Sequence, residues 1–384
     1  MLNTKHYPNK VMGWAAICIA LVVLSLPAFA AETEIRAGSL KVTPGVKYTG
    51  SYEGNVFYEE NDTRDDYIHK VTPYIHFDYV GGTLGRYLKM GLEVDLAAYT
   101  DYNDNNWQAY RPYIEFSLDH LGPFYLKVRD AYVYTTDPYG TVNQYGLGTK
   151  TERWHNDLDA TLGYEFGDRY ALEMDYKWHV ERFRENPDKW QNRIDHRFGG
   201  KLLVKVASKT YVFGEYRRTN AEYDEQNEGF TPVNGAWFPT APFWNSATSQ
   251  DYYLDDVFAG VRFHPTGRLR GEIKFGYGQK HYENDVDPVG IPYVDDDTWI
   301  AEANVNYVLQ KNASLGLNLH RTFLGTQDNN VMAQPIFVSS GYVDTKAGID
   351  YTHHLNRTTF RIGFDWQLQD YRDEAAGFPE KYYN

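Results

Sequence analysis

Tyr170-Ala-Leu-Glu-Met-Asp-Tyr-Lys-Trp-His-Val-Glu181 decides the fold. Tyr170, Leu172, Met174, Tyr176, Trp178 and Val180 fall on one side of a period of two. Glu173, Asp175, Lys177, His179 and Glu181 fall on the other. Successive side chains of a strand point to opposite faces, so this is a strand with one apolar and one charged face. The pattern recurs in Leu269, Gly271, Ile273, Phe275 and Tyr277, in Trp299 to Tyr307, in Val343 to Tyr351, and in Phe360, Ile362, Phe364, Trp366 and Leu368.

A soluble sandwich also alternates. These segments, however, run to about 12–15 residues against a usual 5–6. Their polar faces are densely charged and their ends are rich in Tyr and Trp. A tilted strand needs roughly 9–11 residues to cross the hydrocarbon layer. Composition agrees, with 34 Tyr, 20 Phe and 9 Trp in 384 residues, as aromatic girdles require.

Connections alternate in length. Short turns fall at residues 81–86, 121–123, 167–169, 207–209, 265–268, 310–313 and 355–357. Long polar loops fall near 53–65, 101–106, 138–151, 184–190, 225–250, 284–296 and 326–339. Short turns at one end and long loops at the other describe an outer-membrane barrel. Strands are expected near 41–52, 66–80, 87–101, 106–119, 123–137, 152–166, 169–183, 191–206, 210–222, 251–264, 268–283, 297–309, 313–325, 340–354 and 357–372. That count is odd, and single-chain bacterial barrels have even counts. The expectation is an all-β, transmembrane antiparallel up-and-down β-barrel of about 16 strands. Its last strand is absent and the chain ends within a loop; fourteen strands is the rival count.

Residues 1–30 read as a signal peptide. Lys5 and Lys10 precede an apolar run from Val11 to Leu26, and Ala28-Phe29-Ala30 offers a small-x-small cleavage site. The run is short for a membrane-spanning helix. Residues 31–384 would then form one barrel domain. The single Cys, Cys18, lies in the leader, so the mature chain has no disulfide, thiolate nucleophile or Cys-metal site. Removing the two lysines takes the formal charge from -14 to -16. Acidic chains are poor nucleic-acid binders.

The opening Lys41-Val-Thr-Pro-Gly-Val-Lys-Tyr-Thr-Gly-Ser-Tyr-Glu-Gly-Asn-Val-Phe57, continued by Tyr67 to Tyr79, resembles the β-barrel porin family found with bacterial exopolysaccharide gene clusters. Thr43-Pro44, Asn55-Val56-Phe57 and Thr72-Pro73 carry the match, over roughly the first two strands. The absent last strand departs from that family's pattern. The resemblance implies an outer-membrane location and a tie to surface glycans, and no reaction.

The charged face is the candidate lining of a channel. Lys89, Arg111, Lys127, Arg129, Glu173, Asp175, Lys177, Arg193, Arg197, Arg270, Lys274 and Arg361 lie on it, mixed with Glu93, Asp95, Glu115, Asp195, Glu272, Asp344, Lys346, Asp350 and Asp365. Basic ladders there could steer an anionic solute. Alternatively, opposite charges pair across strands and stiffen the wall. In the loop 225–250, Phe230, Trp237, Phe238, Phe243 and Trp244 could form a constriction or stack on sugar rings, or simply pack against other loops.

Asp285, Asp287, Asp295, Asp296 and Asp297 crowd one loop without a calcium-binding spacing, and read as a solvated loop near lipopolysaccharide. His353-His354 reads as an interfacial pair rather than a zinc site. No nucleophile elbow, P-loop or dinucleotide fingerprint is present. No enzyme activity, metal or cofactor is expected. The functional expectation is an outer-membrane channel passing or exporting a saccharide, with lipid and lipopolysaccharide as surroundings. A non-conducting structural or glycan-binding barrel is the alternative, and an exported all-β carbohydrate-active enzyme the weaker one.

Overall fold

A computed structural model describes residues 34–54, 56, 64–81, 86–137, 152–184, 192–224, 251–285, 293, 295–324, 342–355, 358–371 and 381–383. The chain divides into two compact units, residues 1–119 with 128–157, and residues 120–127 with 158–384. The leader and most of the long loops lie outside the described residues.

The first unit holds β1 (Ile35–Ala37), β2 (Leu40–Glu53), β3 (Asp66–Gly81), β4 (Arg86–Tyr99), a 3-10 turn at Asn103–Asn105, most of β5 (Trp107–Leu121) and β6 (Phe124–Thr135), and the start of β7 (Arg153–Phe166). β1 pairs antiparallel with β2, β2 with β3, β3 with β4, and β4 with β5.

The second unit holds the rest of β7, then β8 (Tyr170–Phe183), β9 (Arg193–Ala207), β10 (Thr210–Tyr223), β11 (Tyr252–Phe263), β12 (Leu269–Tyr282), β13 (Asp296–Gln310), β14 (Ala313–Leu324), β15 (Tyr342–Leu355), β16 (Thr358–Tyr371) and β17 (Lys381–Tyr383). From β8 to β17 each strand pairs antiparallel with the next in the chain. This is the up-and-down order of an all-β barrel architecture.

The expected strands are found within a few residues at either end, because the period of two is strongest where a strand is paired on both sides. Two short strands are additional. Ile35–Ala37 was not among the expected segments. Lys381–Tyr383, read from sequence as loop, pairs with Leu368–Asp370 of β16, where the sixteenth strand is expected. Their brevity hides them, since three residues carry no readable alternation.

Loop length sorts by parity in the structure too. Gly122-Pro123 joins β5 to β6, Gly167 to Arg169 joins β7 to β8, and Ser208-Lys209 joins β9 to β10. Gly122 and Gly167 sit at φ 66° and 61°, a left-handed backbone that residues with a side chain rarely adopt. Lys209 takes the same conformation at φ 59° without that freedom, beside a register shift at Thr210/Tyr211. Within the first unit, the Asp66 carboxylate accepts the backbone N–H groups of Thr100, Asp101 and Tyr102 at 3.1–3.2 Å, closing the turn after β4.

Burial is inverted relative to a soluble protein. On β12, Ile273 and Phe275 are 47% and 60% exposed, while Lys274 between them is buried. On β8 Met174 is exposed and Glu173 buried; on β9 Leu202 is exposed and Lys201 buried. Ile362 and Phe364 of β16 are exposed at 68% and 67%. Each such side chain left in water forgoes about 1.5–3 kcal/mol. The face is suited to lipid, in which the paired strands need no further backbone partners.

Candidate functional site

In the second unit the buried face carries a belt of ion pairs. Register places Glu173, Lys201 and Glu215 side by side on β8, β9 and β10. It sets Arg217 against Asp256, Arg262 against Glu272, and Lys274 against Glu302, on β10 to β13. Arg217 meets Asp256 at 3.1 Å, Lys274 meets Glu302 at 2.9 Å, and Arg262 Nε meets Glu272 at 2.6 Å. These are neighbouring-strand contacts that any sheet allows.

Other contacts skip strands. Arg262 on β11 holds Glu173 on β8 with two hydrogen bonds, at 2.6 and 2.8 Å. Lys201 on β9 reaches Glu272 on β12 at 2.9 Å, and Arg217 on β10 reaches Glu302 on β13 at 2.7 Å. Strands three places apart are separated by roughly 14 Å along a flat sheet. Side chains meet over two intervening strands because this face is concave. Lys274 adds a bond across two places to Glu215 at 3.0 Å.

Each of the four cations thus touches at least two carboxylates, and Lys201 approaches Glu173, Glu215 and Glu272 together. Buried pairs survive only when nearly all their hydrogen bonds are made. Tyr125 supplies one more, donating to Glu173 at 2.5 Å while its ring lies over Gly163. Below the belt, Ala171, Leu203 and Phe213 form an apolar patch with Tyr211, and the Lys201 ammonium lies 4.6 Å from the Phe213 ring centre. Above it are Ala221, Tyr223, Tyr252 and Leu254, clustered with Phe323, Val343 and Tyr282. Lys280 is buried there between the Tyr252 and Tyr282 rings and donates to the Tyr282 hydroxyl at 2.6 Å. The outer face carries polar pairs of its own: Arg218 bonds Asp255 at 3.2 Å, and Tyr176 pairs with His196 at 2.9 Å.

The first unit has a smaller network. Asp95, fully buried, accepts from Thr72 at 2.6 Å and pairs with Arg111 at 2.8 Å. His76 lies 3.1 Å from Glu93 and stacks on Tyr74. Lys89 sits over the Tyr87 ring at 4.9 Å, and Arg129 is exposed.

Among the residues singled out from sequence, Glu173, Glu272 and Lys274 enter the belt. Lys177 pairs with Asp159 at 2.6 Å, Asp175 accepts from Thr161 at 2.7 Å, and Arg193 is 3.4 Å from Asp195. Lys127 is exposed, 6.0 Å from the Tyr125 ring. Arg270 is exposed, and Arg361 is a long 3.4 Å from the Thr352 hydroxyl. Pairing across strands therefore engages several of the cations that a free basic ladder would need. Arg197 is half-buried and makes no hydrogen bond or ion pair among the described residues. Phe230, Trp237, Phe238, Phe243 and Trp244 lie outside the described residues. His353 contacts Asn312 and Tyr351 at 3.1 and 2.8 Å. No grouping of three metal-ligating side chains occurs among the described residues.

Lys201, Glu215, Arg217, Asp256, Arg262 and Glu302 were missed by sequence reading. Gly199-Gly200 interrupts the alternation before Lys201, and Asp255-Asp256 and Arg217-Arg218 put like charges on both faces. The only available signal was register: once Glu173 is placed inward, pairing carries the inward face to Lys201, Glu215 and onward.

Long antiparallel strands in up-and-down order, apolar outside and ion-paired inside, define the transmembrane β-barrel class. No protein-family model matches the chain, and no curated protein does. Among solved structures it is similar to a mutant of the ferric enterobactin receptor PfeA of Pseudomonas aeruginosa, with 9% identity over 88% of this chain and 54% of that one, at a TM-score of 0.42. It is also similar to the ferric-catecholate import receptor Fiu of E. coli K12, with 10% identity over 88% and 59% of the two chains and a TM-score of 0.38. The copper transporter OprC shows 11% identity over 90% and 66%, with a TM-score of 0.35. The chain spans little more than half the length of the two receptors.

Proposed function

We propose that this protein is an outer-membrane β-barrel of the transport type, whose polar face conducts a saccharide across the bacterial outer membrane. The observation that carries the reading is the inverted sorting: large apolar side chains outside, a charged and hydrogen-bonded face inside. A closed up-and-down sheet is the strand architecture that satisfies its backbone in lipid. Alternation of short turns and long loops supports the same orientation, with the long loops outside the cell. The saccharide rests on the likeness of the first two strands to the porins of exopolysaccharide gene clusters, which also favours export.

Planar-bilayer recording of the refolded protein tests the reading. Steady openings that a saccharide blocks are expected. A folded barrel that never conducts would refute it and favour a second reading, a non-conducting structural or glycan-binding barrel. That reading draws on the ion pairs that skip strands and on the aromatic cluster above them, which together fill part of the concave face.

A further inference from the structure

Arg197 stands apart from the belt. It lies on β9, directly opposite Lys177 on β8 and Thr219 on β10. Parity puts it on the concave polar face, beside Gly199, and it is half-buried. Among the described residues its guanidinium makes no hydrogen bond and no ion pair. The carboxylates whose charges act on it are Glu302, Asp159 and Asp175. Each is already held: Glu302 by Arg217 and Lys274, Asp159 by Lys177, Asp175 by the Thr161 hydroxyl. The neighbouring cation Arg217 is itself committed to Asp256 and Glu302.

A half-buried guanidinium keeps its five N–H donors available to an acceptor. Gly199, two residues further along the same face, raises no side chain between Asp175 and Arg217, which a Cβ there would touch at 3.4–3.7 Å. Extracting a belt cation from two carboxylates would be far dearer than using this one. The planar fork matches a carboxylate's two oxygens. With Asp159 and Asp175 close by, the local field suits a monoanion better than a phosphate dianion.

We propose that Arg197 is the anion-binding residue of the polar face, and that the saccharide it serves carries a carboxylate, as a uronic acid does. The saccharide rests on the function proposed above; the anion site does not.

The test is calorimetric titration of the refolded full-length protein in detergent micelles, with trigalacturonate, maltotriose and inorganic phosphate as probes. Trigalacturonate should bind at least about tenfold more tightly than maltotriose, the worth of roughly one charge-assisted pair. Arg197→Gln should remove that preference, and Arg197→Lys, which keeps the charge without the fork, should fall between. Equal trigalacturonate affinity in wild type and Arg197→Gln overturns the site. Tighter binding of phosphate than of trigalacturonate overturns the carboxylate and points to a free inorganic anion. Should Arg197→Gln fail the heat-modifiable gel shift of a folded barrel, Arg197→Lys decides, and undiminished affinity there counts against the fork. A protein that binds through Arg197 but never conducts refutes the channel and keeps the site. One that conducts with no dependence on Arg197 does the reverse.

Discussion

Lys274→Met should be among the most damaging conservative-volume changes in the second unit. The Lys274 ammonium is buried and bonds both oxygens of Glu215, at 3.0 and 3.1 Å, and Glu302 at 2.9 Å. Methionine fills the stem's volume and removes the charge. Two carboxylates then lose a cation in a setting where each bond to a charged group is worth about 1.5–3 kcal/mol. Glu302 retains Arg217 at 2.7 Å and Glu215 retains Lys201 at 3.3 Å, so neither is fully orphaned. The expected loss is about 3–5 kcal/mol, the range for removing one partner of a buried pair. Adding Glu215→Gln should return at least about 1 kcal/mol, since the surplus negative charge goes with it. The assay is reversible denaturant unfolding of the refolded barrel, followed by tryptophan fluorescence. A loss below about 1 kcal/mol in Lys274→Met would refute the reasoning, because it is the value of a solvated surface pair.

Ile273→Arg, one residue away but on the outer face, should destabilise the bilayer-embedded barrel by about 2–4 kcal/mol; a neutral result would mean that this face does not meet hydrocarbon. Gly163→Ala places a methyl group into the Tyr125 ring and should cost about 1–3 kcal/mol, with loss of the Tyr125–Glu173 bond visible as a weaker ultraviolet signature of the buried tyrosine. Lys209→Gly should leave stability unchanged or raise it by up to about 1 kcal/mol, because relief of the left-handed backbone offsets the added freedom of the unfolded chain; a clear loss in the same unfolding assay would contradict that account.

The placing of the strands was legible because a period of two over a dozen residues tolerates few other folds. Each expected segment corresponds to a strand, and the sorting of loop lengths followed from the turn residues between them. The inward face of β8 was legible for the same reason: Glu173, Asp175 and Lys177 alternate with bulky apolar neighbours.

What the amino-acid sequence by itself determined is therefore local: where the strands run, which side of each is apolar, and which connections are short. The tertiary structure alone decided which charges meet. Lys201 follows two glycines and Asp256 follows Asp255, so no local pattern marks them, and the alternation from Trp299 to Tyr307 puts Glu302 on the polar face without naming its partner. The bonds that Lys201 and Glu302 make to partners three strands away arise from pairing register and from curvature, quantities summed over several strands and carried by no single segment. The same sum leaves Arg197 over: each of its neighbouring carboxylates is claimed by a cation or hydroxyl from elsewhere in the sheet, so that among the described residues only the assembled face shows this guanidinium without a partner.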